Sequence, residues 1–184
     1  MKVKDCEILL VPGEPDLTGG LWLHRWAKKM SSARMVDLGD LEAPNRDAWT
    51  ARLVAAVNKA AKPVVLVGHS AGVAAIVNAA PLFDASADVR GAYLVAPPVM
   101  DTSFHEPFAQ SGFGPYPTAP LPFPSFLVHA TNDQHMIQDD AQTLANAWGS
   151  LFIDARDQGH IDVASGHGPW PEGLMVFSKF LAQL

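Results

Sequence analysis

Val64-Val65-Leu66-Val67-Gly68-His69-Ser70-Ala71-Gly72 is the stretch from which the rest of the chain is read. Its apolar run is opened by Pro63, stops at Gly68, turns through one serine and restarts over residues 73–80 as a stretch apolar nearly all round. Aliphatic residues bounded in this way predict a short, fully buried strand, and the small-residue stretch predicts a buried helix. The Gly-x-Ser-x-Gly spacing at such a junction has a steric reason. The serine is held in a strained turn, and both flanking glycines remove side chains that would collide with the neighbouring strand and helix. The pattern predicts Ser70 as a nucleophile on a strand-to-helix elbow. The competing reading is a tight turn whose serine only caps the helix.

Outward from the elbow, strand and helix alternate. Residues 8–11 read as a first buried strand ended by Pro12-Gly13, and residues 17–30 as a helix with Trp22 and Trp26 one turn apart and Lys28-Lys29 at its close. Residues 33–38 read as a second strand, and Asn45 can cap a helix carrying Trp49, Leu53 and Ala56 or Val57 at helical spacing. After the elbow come strands at 92–96, 126–130 and 151–153. A helix opened by Asp139-Asp140 lies between the last two, and a final helix begins near Pro171. Six strands in this alternation predict a single domain over residues 1–184: a mostly parallel sheet with helices on both faces, whose working groups collect beyond the carboxyl ends of the strands.

One stretch breaks the rhythm. Residues 97–124 hold eight of the fifteen prolines together with Phe104, Phe108, Phe113, Tyr116 and Phe123. Such a segment predicts an irregular covering loop whose aromatics, Phe104 among them, could wall an acyl or aromatic group. A proline-stiffened excursion that packs its aromatics on the core fits the same residues.

With 184 residues, 48% hydrophobic residues and a formal charge of −6, the chain can bury a sizeable core. The acidic balance and scattered lysines and arginines argue against a nucleic-acid surface. Cys6 is the single cysteine, which excludes an internal disulfide framework and a thiolate metal cluster and suits a reducing, cytoplasmic setting. No export signal is legible at the start of the sequence, and no run approaches the length of a membrane span. Metalloprotease, calcium-loop and phosphate-loop patterns are lacking, so neither a metal nor another cofactor is expected.

A serine hydroxyl needs a base within hydrogen-bond reach and a third group that fixes the base's tautomer. In this architecture the acid should follow a later strand and the histidine one later still. Asp133, in the Thr131-Asn132-Asp133 turn after the fifth strand, and His160, after Gly159 in the loop beyond the sixth, fit those places. Asp101, after the fourth strand, is the rival acid. Among the other histidines, His24 lies on the first helix, His69 in the elbow and His129 within the fifth strand, while His105, His135 and His167 lie in loops. Two backbone N–H groups should meet the oxyanion. Ala71 supplies one, and Glu14, beside Gly13 in the first loop, is preferred for the second. Gly13, His69, Phe104 and Trp170 are the expected substrate contacts, although core packing is the preferred reading of Trp170, as of Trp22 and Trp26.

These residues resemble a family of small serine hydrolases of the α/β-hydrolase fold, grouped with retinoblastoma-binding protein nine and the YdeN-type bacterial proteins. The most specific similarity is Gly159-His160-Ile161-Asp162-Val163-Ala164-Ser165-Gly166-His167-Gly168-Pro169-Trp170-Pro171-Glu172-Gly173, followed by the elbow and by Asn132-Asp133. The resemblance implies Ser70, Asp133 and His160 as a triad, and a compact six-stranded sheet without a large cap. The family's His-Trp-Gln-x-x-Trp on the first helix reads here Leu21-Trp22-Leu23-His24-Arg25-Trp26, and its Pro-Tyr after the acid reads Gln134-His135. The expected activity is cleavage of a small carboxylic ester, thioester or amide through an acyl-enzyme. The alternative is a catalytically weak protein-binding module on the same fold, with an unidentified protein partner.

Overall fold

The computed structural model describes residues 1–16, 18–100 and 110–184. Phe104, Asp101, His105 and Phe108 therefore lie outside the described residues. Six strands, β1 (Glu7–Val11), β2 (Ala33–Met35), β3 (Val64–His69), β4 (Val89–Val95), β5 (Ser125–His129) and β6 (Leu151–Asp154), form one sheet in the order β2-β1-β3-β4-β5-β6. Every pairing is parallel. All carboxyl ends therefore lie along one edge. The chain leaves β1 toward β2 and returns past it to β3, so the order reverses between β1 and β3, the place where open parallel sheets form crevices.

Helices cover both faces: α1 (Trp22–Lys29), α2 (Arg46–Asn58), α3 (Ala71–Ala79), α4 (Gln138–Trp148) and α5 (Pro171–Gln183). Strand alternation sorts the core into two layers. Leu9, Val11, Leu66, Leu94 and Leu127 pack with Trp49 and Leu53 of α2, Ala74 of α3 and Trp148 of α4. Ile8, Leu10, Val65, Val67 and Val95 pack with Trp22 and Trp26 of α1 and Phe177 and Phe180 of α5. Because both faces are covered, the strands read as unbroken apolar runs rather than as alternating ones.

Local signals explain most boundaries. The Asn45 side chain accepts a 2.9 Å hydrogen bond from Ala48 N, capping α2. The first helix differs from expectation: it starts at Trp22, five residues later than the apolar pattern suggests. Asp16 is the reason. Its carboxylate accepts from Thr18 N at 3.0 Å and from Leu21 N at 2.8 Å, holding the preceding segment in a turn that competes with helix. β4 begins earlier than expected: Val89 already pairs with Val64, and a register irregularity there leaves Arg90 unpaired before the Val65–Gly91 pair. Within residues 97–124, the described part packs its aromatics inward. Phe113 lies against Trp49, with ring centroids 5.6 Å apart, and the Tyr116 hydroxyl donates to Pro98 O at 2.9 Å.

Candidate active site

The elbow between β3 and α3 holds Ser70 at φ 54° and ψ −129°, a conformation that non-glycine residues rarely adopt. Three glycines permit it. A Cβ on Gly72 would come within 2.2 Å of Val11 O, and one on Gly68 within 2.7 Å of Ile76 Cδ1. Gly13, in the loop after β1, seals the crevice from the other side: a Cβ there would meet Ala71 N and His69 O at 2.4 Å and Gly72 N at 2.8 Å. The loop after β1 and the start of α3 thus touch backbone to backbone at the reversal of strand order.

Asp133 and His160 converge on this elbow. His160 Nε2 lies 2.9 Å from Ser70 Oγ, and His160 Nδ1 lies 2.9 Å and 3.1 Å from the two Asp133 oxygens. A carboxylate only accepts, so Nδ1 carries the proton and Nε2 is left to accept from the serine hydroxyl. The Asp133 side chain has no exposed surface and that of His160 is 7% exposed. A second donor, His135 N, reaches Asp133 Oδ1 at 2.9 Å. On the opposite side of the imidazole, the His135 ring meets the His160 ring edge-on, with centroids 4.3 Å apart.

The His160 loop is itself strained and pinned. Gly159 has φ 59° and Ile161 φ 54°. Four side chains hold it. The Asn132 carbonyl accepts from Gly159 N at 2.7 Å, His69 Nε2 lies 3.0 Å from His160 O, Trp22 Nε1 donates to Ile161 O at 3.0 Å, and Trp170 Nε1 donates to Gln158 Oε1 at 2.8 Å. His69 is fully buried, and burial followed by the nearby His160 lowers its pKa from 6.5 to about 3. It is therefore neutral at ordinary pH, with its proton on Nε2, because the His160 carbonyl can only accept.

Each expected site residue now has a place. Ser70, Asp133 and His160 are brought together. Ala71 opens α3, whose first-turn amides have no partner within the helix. Glu14 lies on the adjoining loop and lines a cavity of about 320 Å³ together with Asp16, Leu21, Asp162 and Val163. Burial works against the charge of Asp162, but hydrogen bonds from Ser165 outweigh it and hold the carboxyl below its usual range. Two of the expected substrate contacts also hold the site together. His69 spends its ring on the His160 loop, and Trp170 is packed against Trp22 and Trp26, with centroids 4.9 Å and 6.4 Å away. The sequence reading missed Trp22, Asn132 and His69 as supports of the site. Of these only Asn132 carried a local signal, its place beside Asp133. Among the described residues no group of three or more histidines, cysteines or carboxylates could hold a metal ion, and no helix is long and apolar enough to cross a membrane.

A parallel sheet in this order, with a strained serine after its third strand, a carboxylate after the fifth and a histidine after the sixth, is an α/β-hydrolase fold. Residues 8–179 match the serine hydrolase family, and the chain belongs to that family. Among solved structures it is similar to a YdeN-like hydrolase from Pectobacterium atrosepticum, at 25% identity and a TM-score of 0.83 over 96% of this chain and 91% of that one. It is also similar to the ydeN gene product of B. subtilis, at 16% identity and a TM-score of 0.72 over 96% and 98% of the two chains. A hydrolase of the alpha/beta superfamily from Xanthomonas campestris aligns over the whole of both chains, with 21% identity and a TM-score of 0.69. No curated protein matches the chain.

Proposed function

We propose that this hydrolase cleaves a small carboxylic ester through an acyl-enzyme on Ser70. The observation that carries the reading is the unbroken hydrogen-bonded series Asp133–His160–Ser70, ending on a serine held in a strained turn. Ser70 Oγ attacks the ester carbonyl carbon while its proton passes to His160 Nε2, and Asp133 stabilises the imidazolium through Nδ1. The N–H groups of Ala71 and Glu14 receive the tetrahedral oxyanion. As the carbonyl re-forms, the bond to the leaving oxygen breaks and His160 returns the proton to the departing alcohol. Water, deprotonated by His160, then attacks the acyl-enzyme, releasing the carboxylic acid and the Ser70 hydroxyl. The same steps open a thioester or an amide, and the walls of the pocket select among them. Gly13 keeps the first loop against the elbow, and Phe104 is the proposed apolar substrate contact.

Intact mass after exposure to a fluorophosphonate tests this reading. The wild type should gain a single adduct, Ser70→Ala none, and His160→Ala one only at a greatly reduced rate. An adduct that persists in folded Ser70→Ala, or no adduct on folded wild type, would overturn it.

A further inference from the structure

His129, the last residue of β5, has no role in the steps above, yet its placement is unusual. Its side chain is fully buried, and neither ring nitrogen makes a hydrogen bond of good geometry. Leaving a buried polar group unpaired is costly, so such an imidazole in a native core asks for a reason. The nearest polar atom given for it is functional: His129 Nε2 lies 3.6 Å from Asp133 Oδ2, four residues further along the chain. That separation is too long for an ordinary hydrogen bond and acts as a charge–dipole contact in the resting structure. Burial, with the nearby His160 acting in the same sense, lowers the His129 pKa despite the opposing pull of Asp133, the Ala130 backbone and Asp154. The ring is therefore neutral and carries a single N–H.

We propose that His129 is a positioning residue for Asp133: its Nε2–H is directed at Oδ2 and helps keep the buried carboxylate ionised and facing His160. The Asp133 environment shows why a further donor is useful. Oδ1 accepts from His135 N, whereas Oδ2 has only the His160 N–H within hydrogen-bond distance among the contacts described. A fully buried carboxylate with so few donors is poorly stabilised. When His160 takes the serine proton, a dipole already aimed at Oδ2 keeps the carboxylate facing Nδ1 without reorganisation. The groups facing His129 are Asp133 and His160 at the site and Asp154, its register partner on β6.

This inference rests on the proposed roles of Asp133 and His160, and its test separates the two. His129→Met removes the N–H at similar volume, and His129→Gln restores an amide N–H at similar reach. In the hydrolysis of an activated ester, His129→Met should lower kcat by about 3- to 10-fold with KM little changed, since a weak contact to a charged group is lost. The acidic limb of its kcat/KM profile should move to higher pH, because a carboxylate relieved of a donor stabilises the His160 imidazolium more strongly. His129→Gln should recover most of both. Equal activity and identical profiles in wild type and His129→Met, or no difference between the two variants, would overturn the proposal. Nitrogen NMR of wild type with labelled histidine adds a test that needs no variant to fold: a His129 proton on Nδ1 rather than Nε2 would also overturn it. A wild type without hydrolysis or phosphonate adduct would instead refute the triad reading itself.

Discussion

Lowering the pH from about 7.5 to about 5 should strip the protein of roughly 2 kcal/mol through His69 alone. In the native state the buried ring stays neutral down to about pH 3, whereas the unfolded chain protonates it near 6.5. Between those values the unfolded state binds one more proton, so stability falls as pH falls, by about 1.4 kcal/mol per pH unit once well below the unfolded value. At pH 5 the native ring is still unprotonated, so the loss is set by the unfolded value alone. For a chain of this size it corresponds to about 4–8 °C in Tm. His129, whose pKa burial also lowers, adds a loss of the same sign. Asp16 and Asp162, held below the ordinary carboxyl value of 3.8, lose their stabilisation only at lower pH. The contribution of His69 is isolated with His69→Gln, which keeps an N–H toward His160 O and does not titrate. Urea unfolding of both proteins at the two pH values should show the variant losing about 2 kcal/mol less than the wild type. Parallel losses in the two would mean that His69 is not a neutral buried support of the catalytic loop, and would refute the reasoning.

Two further predictions bear on the elbow and the acid. Gly13→Ala places a methyl within 2.4 Å of backbone atoms of His69 and Ala71, so the elbow must shift. A stability loss of about 1–3 kcal/mol and a drop of about 100-fold in kcat/KM are expected, and near-wild-type turnover in an ester assay would contradict the close packing. Asp133→Asn should lower kcat by about 10³–10⁴-fold by favouring the wrong His160 tautomer, while Asp101→Asn should stay near wild type; the reverse ranking in the same assay would move the acid to the residue after β4.

What could be read from the sequence follows the range of the interactions involved. The elbow was legible because most of its cause is local: a strand, a strained serine and two of the three glycines that admit it lie within nine residues. Asp133 and His160 were legible because a parallel sheet puts every strand end on one edge, so chain order alone restricts the partners. The start of α1 was misplaced because one side chain, Asp16, captures amides that the apolar pattern assigned to a helix. His69 and Trp22 were misread or missed for the opposite reason. Their hydrogen bonds reach 91 and 139 residues along the chain, and no spacing rule reports such a contact. A histidine in an elbow and a tryptophan on an apolar helix face look the same whether or not their N–H groups find a distant carbonyl.

Those distant hydrogen bonds answer a need created at the site. Ser70 and Ile161 both sit at positive φ without being glycine, and each such residue costs on the order of 1–3 kcal/mol. Ile161 is β-branched, which makes its position the harder of the two to hold. Against it stand the full burial of its side chain and the hydrogen bonds to the carbonyls of His160 and Ile161 from His69 and Trp22. Each neutral hydrogen bond returns about 1 kcal/mol, and burying an isoleucine about 1.5–3 kcal/mol, so together they exceed the strain at this residue by about 2 kcal/mol. So small a margin favours donors from the packed core: β3 and α1 are fixed by the sheet and by the Trp22–Trp26–Trp170 cluster. A donor on a loop would give way with the residue it restrains. The imidazole that meets Ser70 is thus held by rigid elements on both sides of the crevice, although His160 itself lies in a loop.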